Sequence, residues 1–253
     1  MQPVTLITGA SAGIGSELAR EFARHGHQLV LTARREPQLE ALAAEIAASG
    51  GKPPIVIPAD LESPGGVDRL AAALGTKSLE PEIVVNNAGF GLAGEAADLD
   101  RDSQLRMIDL NARALTDLSL RFIDSLARHR GGILNVASIA AFLPGPSLAV
   151  YHATKAYVLS FGEALHAELK PRGVRVTTLC PGPVPTEFAA RAGFAEDRFP
   201  RVLERSAARV ARDGYEGFAR GDRVVVPGGP NRILVAMTRF LPSGLLMALS
   251  DRR

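Results

Sequence analysis

The chain has 253 residues, 46% hydrophobic and 22% charged, which suits one generous α/β domain of ordinary globular composition. Its 29 basic and 27 acidic residues leave a net charge of +2, with no electrostatic footprint for nucleic acid. The single cysteine, Cys180, rules out an intrachain disulfide, and no apolar run reaches the roughly 20 residues that cross a bilayer. The N-terminus lacks the basic and long apolar regions of a signal peptide, so a cytoplasmic location is expected.

Taken in chain order, short β-branched runs alternate with longer helical patterns. Strands are expected at 4–8, 28–33, 54–59, 82–87, 132–138, 174–180 and 223–227. Helical spacing fills 14–25, 36–49, 66–75, 101–129 and 150–170. Such alternation predicts right-handed βαβ crossovers, and so a doubly wound, Rossmann-like parallel sheet of about seven strands with helices on both faces. Residues 1–227 read as one domain, and ligands should meet it beyond the carboxyl ends of the strands.

The first such end carries "TGASAGIG", with Gly9, Gly13 and Gly15 opening onto a helix. Glycines there permit positive φ and close backbone approach, and the helix N-terminus suits a pyrophosphate. After the second strand, "LVLTARRE" places Arg34 and Arg35 where dinucleotide enzymes often carry an acidic residue. A guanidinium there can grip a 2′-phosphate that a carboxylate would repel, so the cofactor is expected to be NADP(H). Arg34, nearer the strand, is the favoured partner, with Ser11 assisting it. Ala12 stands before the second motif glycine, where a basic residue would have made the phosphate pocket more positive.

"YHATK" places Tyr151 and Lys155 one helical turn apart. Together with "TGASAGIG", "NNAG" at 86–89, Ser138 and "PGPVPT" at 181–186, the chain resembles the classical short-chain dehydrogenase/reductase family over nearly all of residues 4–227. The resemblance implies a catalytic set of Asn111, Ser138, Tyr151 and Lys155. It also implies a cofactor cradle from Gly9, Ser11, Ala12, Gly13, Ile14 and Gly15, with Asp60 and Leu61 at the adenine. Asn86, Ala88 and Gly89 would lie along the adenosine ribose, with Asn87 tying strands together. Pro181, Gly182, Val184 and Thr186 would meet the nicotinamide.

The chemistry explains these residue types. Carbonyl reduction needs a hydride at carbon and a proton at oxygen, and a tyrosine near pKa ~10 needs a nearby ammonium to serve as a base in the reverse direction. Ser138 would orient the substrate oxygen, and Asn111 would connect Lys155 to solvent. The substrate is expected to be a small-molecule carbonyl or secondary alcohol, a hydrophobic ketone or aldehyde for preference, under a lid around 187–220 that includes Phe188, Phe194 and Phe199. A non-catalytic NADP(H) sensor and a membrane-associated lipid or sterol ketone reductase are the alternatives. The apolar tail, 228–253, is expected to form two short helices broken at Pro242 and Gly244. It would cover the domain, a sister subunit of a homo-oligomer (dimer or tetramer), or a lipid surface.

Overall fold

A computed structural model of the chain describes residues 1–193, 200–238 and 240–241. In chain order it runs β1 (Gln2–Thr8), α1 (Gly13–Arg24), β2 (Leu29–Thr32), α2 (Glu36–Ala48), β3 (Ile55–Val56), α3 (Gly66–Thr76) and β4 (Leu79–Asn86). Then follow α4 (Arg101–Ile108), α5 (Leu115–Arg121), α6 (Ile123–Arg128), β5 (Gly132–Val136), α7 (Ala149–Leu169) and β6 (Arg175–Leu179). The last elements are α8 (Glu187–Ala192), α9 (Ala207–Arg220), β7 (Val224–Val225) and α10 (Gly229–Thr238). All strands are parallel, in the order β3-β2-β1-β4-β5-β6-β7. The strand order reverses between β1 and β4, so the crevice for a ligand opens where "TGASAGIG" and "NNAG" leave the sheet.

Strand side chains alternate between two cores, which is why the strands read as unbroken apolar runs. Ile7, Leu31, Val85, Leu134 and Leu179 face α1, α2 and α9, through Leu18, Phe22, Leu39, Val210 and Phe218. Leu6, Val30, Val84, Ile133 and Val176 face the opposite layer, with Leu70, Leu118 and Leu165. Removing a side chain such as Phe22, which is wholly buried, would cost about 3–5 kcal/mol.

Both outer strands are shorter than the sequence pattern predicts. Pro54 and Pro58 flank β3 and Pro227 follows β7; proline supplies no N–H to a ladder. The expected helix over 101–129 is also interrupted. Between α4 and α5 lies a π-helical stretch, Asp109–Ala114, and the chain breaks again at Phe122 before α6. π-Helical insertions carry extra backbone into one turn and recur at functional sites; this one contains Asn111. At the end of the 187–220 segment the helix α9 covers the sheet: Phe22 meets Tyr215 edge-on at 4.9 Å and Phe218 at 6.0 Å. Phe194, Phe199, Pro242, Gly244 and the leucines from Leu245 onward lie outside the described residues. Among the described residues no helix is long and apolar enough to cross a membrane.

Candidate active site

The glycine loop is stapled to the end of β4 by Thr8 and Asn87. Thr8 Oγ1 accepts from the backbone N–H groups of Asn87 and Ala88, both at 3.0 Å. Asn87 Nδ2 donates to the carbonyls of Thr8 and Gly9 at 3.0 and 3.2 Å. Gly9 and Gly13 take φ of +65° and +60°, and a Cβ on Gly15 would collide with the Gly9 carbonyl oxygen. Only backbone fits here. The first turn of α1 follows Ala12, whose side chain offers no capping bond, so its N–H groups face the loop unclaimed by a cap. This cradle fits a pyrophosphate.

The two arginines after β2 diverge. Arg34 turns to the loop after β3 and pairs with Glu62 at 2.9 Å. Burial pushes the Glu62 carboxyl up, and Arg34 opposes that shift. Arg35 turns to the glycine loop: its Nε and Nη2 donate to Ser11 Oγ at 3.3 and 3.2 Å, and its Nη1 meets Glu187 at 3.1 Å. Ser11 thus serves Arg35, not Arg34 as nearness to the strand suggested, because successive residues leave an extended chain on opposite sides.

The same alternation sets the direction of Asn86. Its side chain is buried, donating to Ser119 Oγ and Asn135 Oδ1, both at 2.9 Å. It points under α5, leaving only its backbone near the crevice. Asn87 is the strand tie that the sequence suggested, while Ala88 packs against Gly9 and Gly89 lies beside Asn111 and Lys155. Asp60 Oδ1 accepts from the Glu62 N–H at 3.1 Å, and Leu61 is buried in a small cavity with Thr8, Ala88 and Leu110.

Ser138 and Tyr151 meet across the cleft. Ser138 ends the strand layer and caps the 3₁₀ turn Ile139–Phe142, its Oγ accepting from Ala140 N–H at 3.1 Å. That same hydroxyl donates to Pro181 O at 3.5 Å and lies near enough to the phenol of Tyr151 to act on its acidity. Burial pushes the phenol up to about 12, against the opposing effect of Ser138. Lys155 Nζ lies 5.8 Å from the Tyr151 ring centre and donates to the Val136 carbonyl at 2.9 Å. Burial pushes this ammonium down to about 8, with neighbouring Cys180 opposing. Desolvation therefore governs both groups in the chain alone.

Asn111 is wholly buried and joins three segments. Its Oδ1 accepts from Phe90 N–H at 3.0 Å, and its Nδ2 donates to Phe90 O at 2.9 Å and to Thr154 Oγ1 at 3.1 Å. The loop after β4 is thereby held against α7 at the level of Lys155. Around the Tyr151 ring the walls are apolar: Phe90, Leu92, Val150 and Phe188 pack there, with Phe188 at 5.6 Å between ring centres.

The "PGPVPT" loop completes the far wall. Pro181 O accepts from Ile139 N–H at 2.9 Å, Val184 packs on the core, and Thr186 lies against Gly13, where a Cβ would come within 3.3 Å. Two residues here carry no signal in the sequence. Glu187 reaches Arg35 across 152 positions, and Asn231 of α10 packs behind Gly182. Both contacts are long-range, and neither belongs to a motif.

Comparison with known proteins places these residues in context. A family model described as "short chain dehydrogenase" matches residues 3–196. The chain is similar to "Sulfoacetaldehyde reductase" of Chromohalobacter salexigens, 39% identical over 217 residues that cover 84% of this chain and 85% of that protein. It is equally similar, 39% over 191 residues and 74% of its length, to "Probable oxidoreductase EphD" of Mycobacterium tuberculosis, of whose length it spans only 32%. In structure it resembles a short-chain dehydrogenase from Sphingobium yanoikuyae in complex with NADPH, with a TM-score of 0.82, 33% identity, and coverage of 99% of this chain and 96% of that one. The glycine cradle, the parallel sheet that carries it and the matched sequence agree: this chain belongs to the short-chain dehydrogenase family.

Proposed function

We propose that the protein is an NADP(H)-dependent oxidoreductase that interconverts a carbonyl and the corresponding alcohol, with Tyr151 as the acid and base. The observation that carries this reading is the juxtaposition of buried Tyr151 with Ser138 and with Lys155, whose Nζ lies one helical turn on and 5.8 Å from the ring centre. When bound, the nicotinamide would supply or accept the hydride. The chain's own part is the proton. In reduction, the Tyr151 O–H bond breaks, its proton goes to the carbonyl oxygen held by Ser138, and the phenolate is left beside Lys155. A phenol held near 12 stays protonated at neutral pH, which suits the donor. In oxidation the cationic nicotinamide and Lys155 would together favour the phenolate. After reduction Lys155 would re-protonate the phenolate; in oxidation the phenolate takes the proton of the alcohol and Lys155 would pass it outward, with the Asn111 segment as the route to solvent in both directions.

The cofactor assignment rests on Arg34 and Arg35, which stand after β2 where dinucleotide enzymes often carry an acidic residue, and the NADPH complex of the Sphingobium relative supports it. The glycine cradle would take the pyrophosphate, Asp60 and Leu61 the adenine, and Pro181, Gly182, Val184 and Thr186 the nicotinamide. The apolar walls around Tyr151 favour a hydrophobic ketone or aldehyde. A panel of apolar and anionic carbonyls, followed by nicotinamide absorbance with NADPH and with NADH, tests the assignment. Tyr151→Phe should abolish turnover and leave NADPH binding intact. Turnover within tenfold of the parent would remove Tyr151 as the principal acid, and a preference for small anionic aldehydes would overturn the apolar substrate.

A second feature bears on assembly. Ile233, Met237 and Phe240 are 64%, 51% and 86% exposed on and just beyond α10. We propose that this apolar face seats a sister subunit, against the alternative of a lipid surface. Solution mass of Ile233→Asp and a vesicle flotation assay separate the two.

A further inference from the structure

Arg35 is held from two sides, by Ser11, whose carbonyl also accepts from Nη2 at 3.5 Å, and by Glu187. Ser11 Oγ, from the glycine loop, accepts from its Nε and Nη2, and Glu187 Oε2, from the first residue of α8, accepts from its Nη1 at 3.1 Å. The side chain therefore bridges the pyrophosphate cradle and the segment behind Thr186. Glu187 is itself fixed in that place. Thr186 lies against Gly13, and Arg191, one turn on, meets the same Glu187 oxygen at 2.7 Å. Arg34 has a separate counter-ion, Glu62. The guanidinium nearest the cradle is thus paired with a carboxylate in the chain alone.

Resting on the NADP(H) reading above, we infer that Glu187 is a specificity-determining residue. It occupies the Arg35 guanidinium as an internal stand-in for the cofactor's 2′-phosphate, and the phosphate must displace it to bind. The chemistry is symmetric. A carboxylate and a phosphate both take the guanidinium fork through charge-assisted hydrogen bonds, and the two anions would repel each other across a single guanidinium. Once freed, Glu187 keeps its partner Arg191, so the exchange strands no buried charge; both residues are more than half exposed. Glu187 accordingly lowers affinity for the phosphorylated cofactor and has no purchase on the unphosphorylated one. It also links the 2′-phosphate site to α8, whose Phe188 packs against the Tyr151 ring.

The test uses 2′,5′-ADP and 5′-ADP as probes, titrated calorimetrically into the full chain and into Glu187→Gln, with NADPH and NADH as companions. A partly exposed pair predicts a modest change: Glu187→Gln should bind 2′,5′-ADP and NADPH about two- to fivefold more tightly. 5′-ADP and NADH should bind as before, and in an Arg35→Ala background the gain should vanish. Wild-type preference for 2′,5′-ADP with no change in Glu187→Gln would overturn this inference and leave the NADP(H) reading standing. Equal wild-type affinity for 2′,5′-ADP and 5′-ADP would remove both.

Discussion

Asn231 of α10 stands directly behind Gly182 of the loop after β6: a Cβ on Gly182 would come within 2.5 Å of the Asn231 amide nitrogen. The same amide donates to Pro227 O at 2.9 Å and to Leu203 O at 3.0 Å, so one buried side chain joins three turns around that loop. Asn231→Ala leaves two carbonyls without this donor, a loss of about 1–3 kcal/mol for unsatisfied buried groups. It should lower the thermal midpoint and weaken nicotinamide cofactor binding, with 5′-ADP binding unaffected. Gly182→Ala should do the same by collision. Truncation after Gly229 removes Asn231 and the exposed apolar face together, and should cost both cofactor affinity and self-association. A truncated protein of unchanged melting point, assembly mass and NADPH affinity would show α10 to be dispensable.

The two arginines can be ranked by experiment. Arg35 touches the glycine loop through Ser11, whereas Arg34 is turned to Glu62. Losing a hydrogen bond to a charged group costs about 1.5–3 kcal/mol, or roughly ten- to a hundredfold in affinity. Arg35→Ala should therefore narrow the NADPH-over-NADH ratio by about that factor, and Arg34→Ala by less. Cofactor titration of both variants decides the order; a larger effect at Arg34 would mean that it leaves Glu62 when cofactor binds.

How far the sequence reached follows from the range of each interaction. The sheet was legible because every central strand is buried on both faces and so reads as an apolar run. The glycine loop, Ser138, Tyr151 and Lys155 were legible because each sits at a strand end or one helical turn from a partner. The π-helical stretch at Asn111 was not, since residues 101–129 keep an ordinary helical pattern and the deviation answers to Phe90 and Thr154. Arg34 and Arg35 were visible as charges, yet which of them meets Ser11 depends on the direction each leaves the strand. Glu187 and Asn231 act only through contacts made after folding.

Buried Lys155 should cost stability where it is charged. Its ammonium falls from the ordinary 10.5 to about 8 through burial. Below about 8 both folded and unfolded chains hold the proton, and the desolvation cost is fully present. Between about 8 and 10.5 the unfolded chain binds more protons, so stability rises with pH. Lys155→Met should therefore melt higher than the parent at neutral pH while losing turnover, and its advantage should shrink across that window. Tyr151 acts oppositely at higher pH: raised from 10.0 to about 12, it contributes stability that is lost as pH climbs through that range. Denaturation of the cofactor-free proteins at several pH values reads both trends. A Lys155→Met variant that melts lower at neutral pH would place the weight on its lost bond to Val136.

His27 gives the acid side of the profile. It is wedged between β1 and α9, with Nδ1 at 3.3 Å from Thr5 Oγ1, Nε2 at 3.4 Å from the Tyr215 hydroxyl, and Phe22 edge-on at 5.2 Å. Burial lowers its pKa below 6.5; Glu82, 3.8 Å away, opposes the shift, while His25 and Lys52 reinforce it. The folded chain thus binds fewer protons at this site than the unfolded one just below the ordinary histidine value. Stability from neutral His27 is complete above about 6.5 and is lost as pH falls towards the lowered folded value, because protonation then favours the unfolded chain. The parent should lose thermal stability on acidification from about pH 7 to about pH 5, and His27→Gln, which keeps a polar group without the titration, should show a flatter decline. His25 is the necessary control. It stacks on Tyr215 at 4.0 Å and lies 3.4 Å from Glu21, so it shares the site, and His25→Gln reports its separate share. Parallel acid profiles for the parent and His27→Gln would assign the decline to other groups.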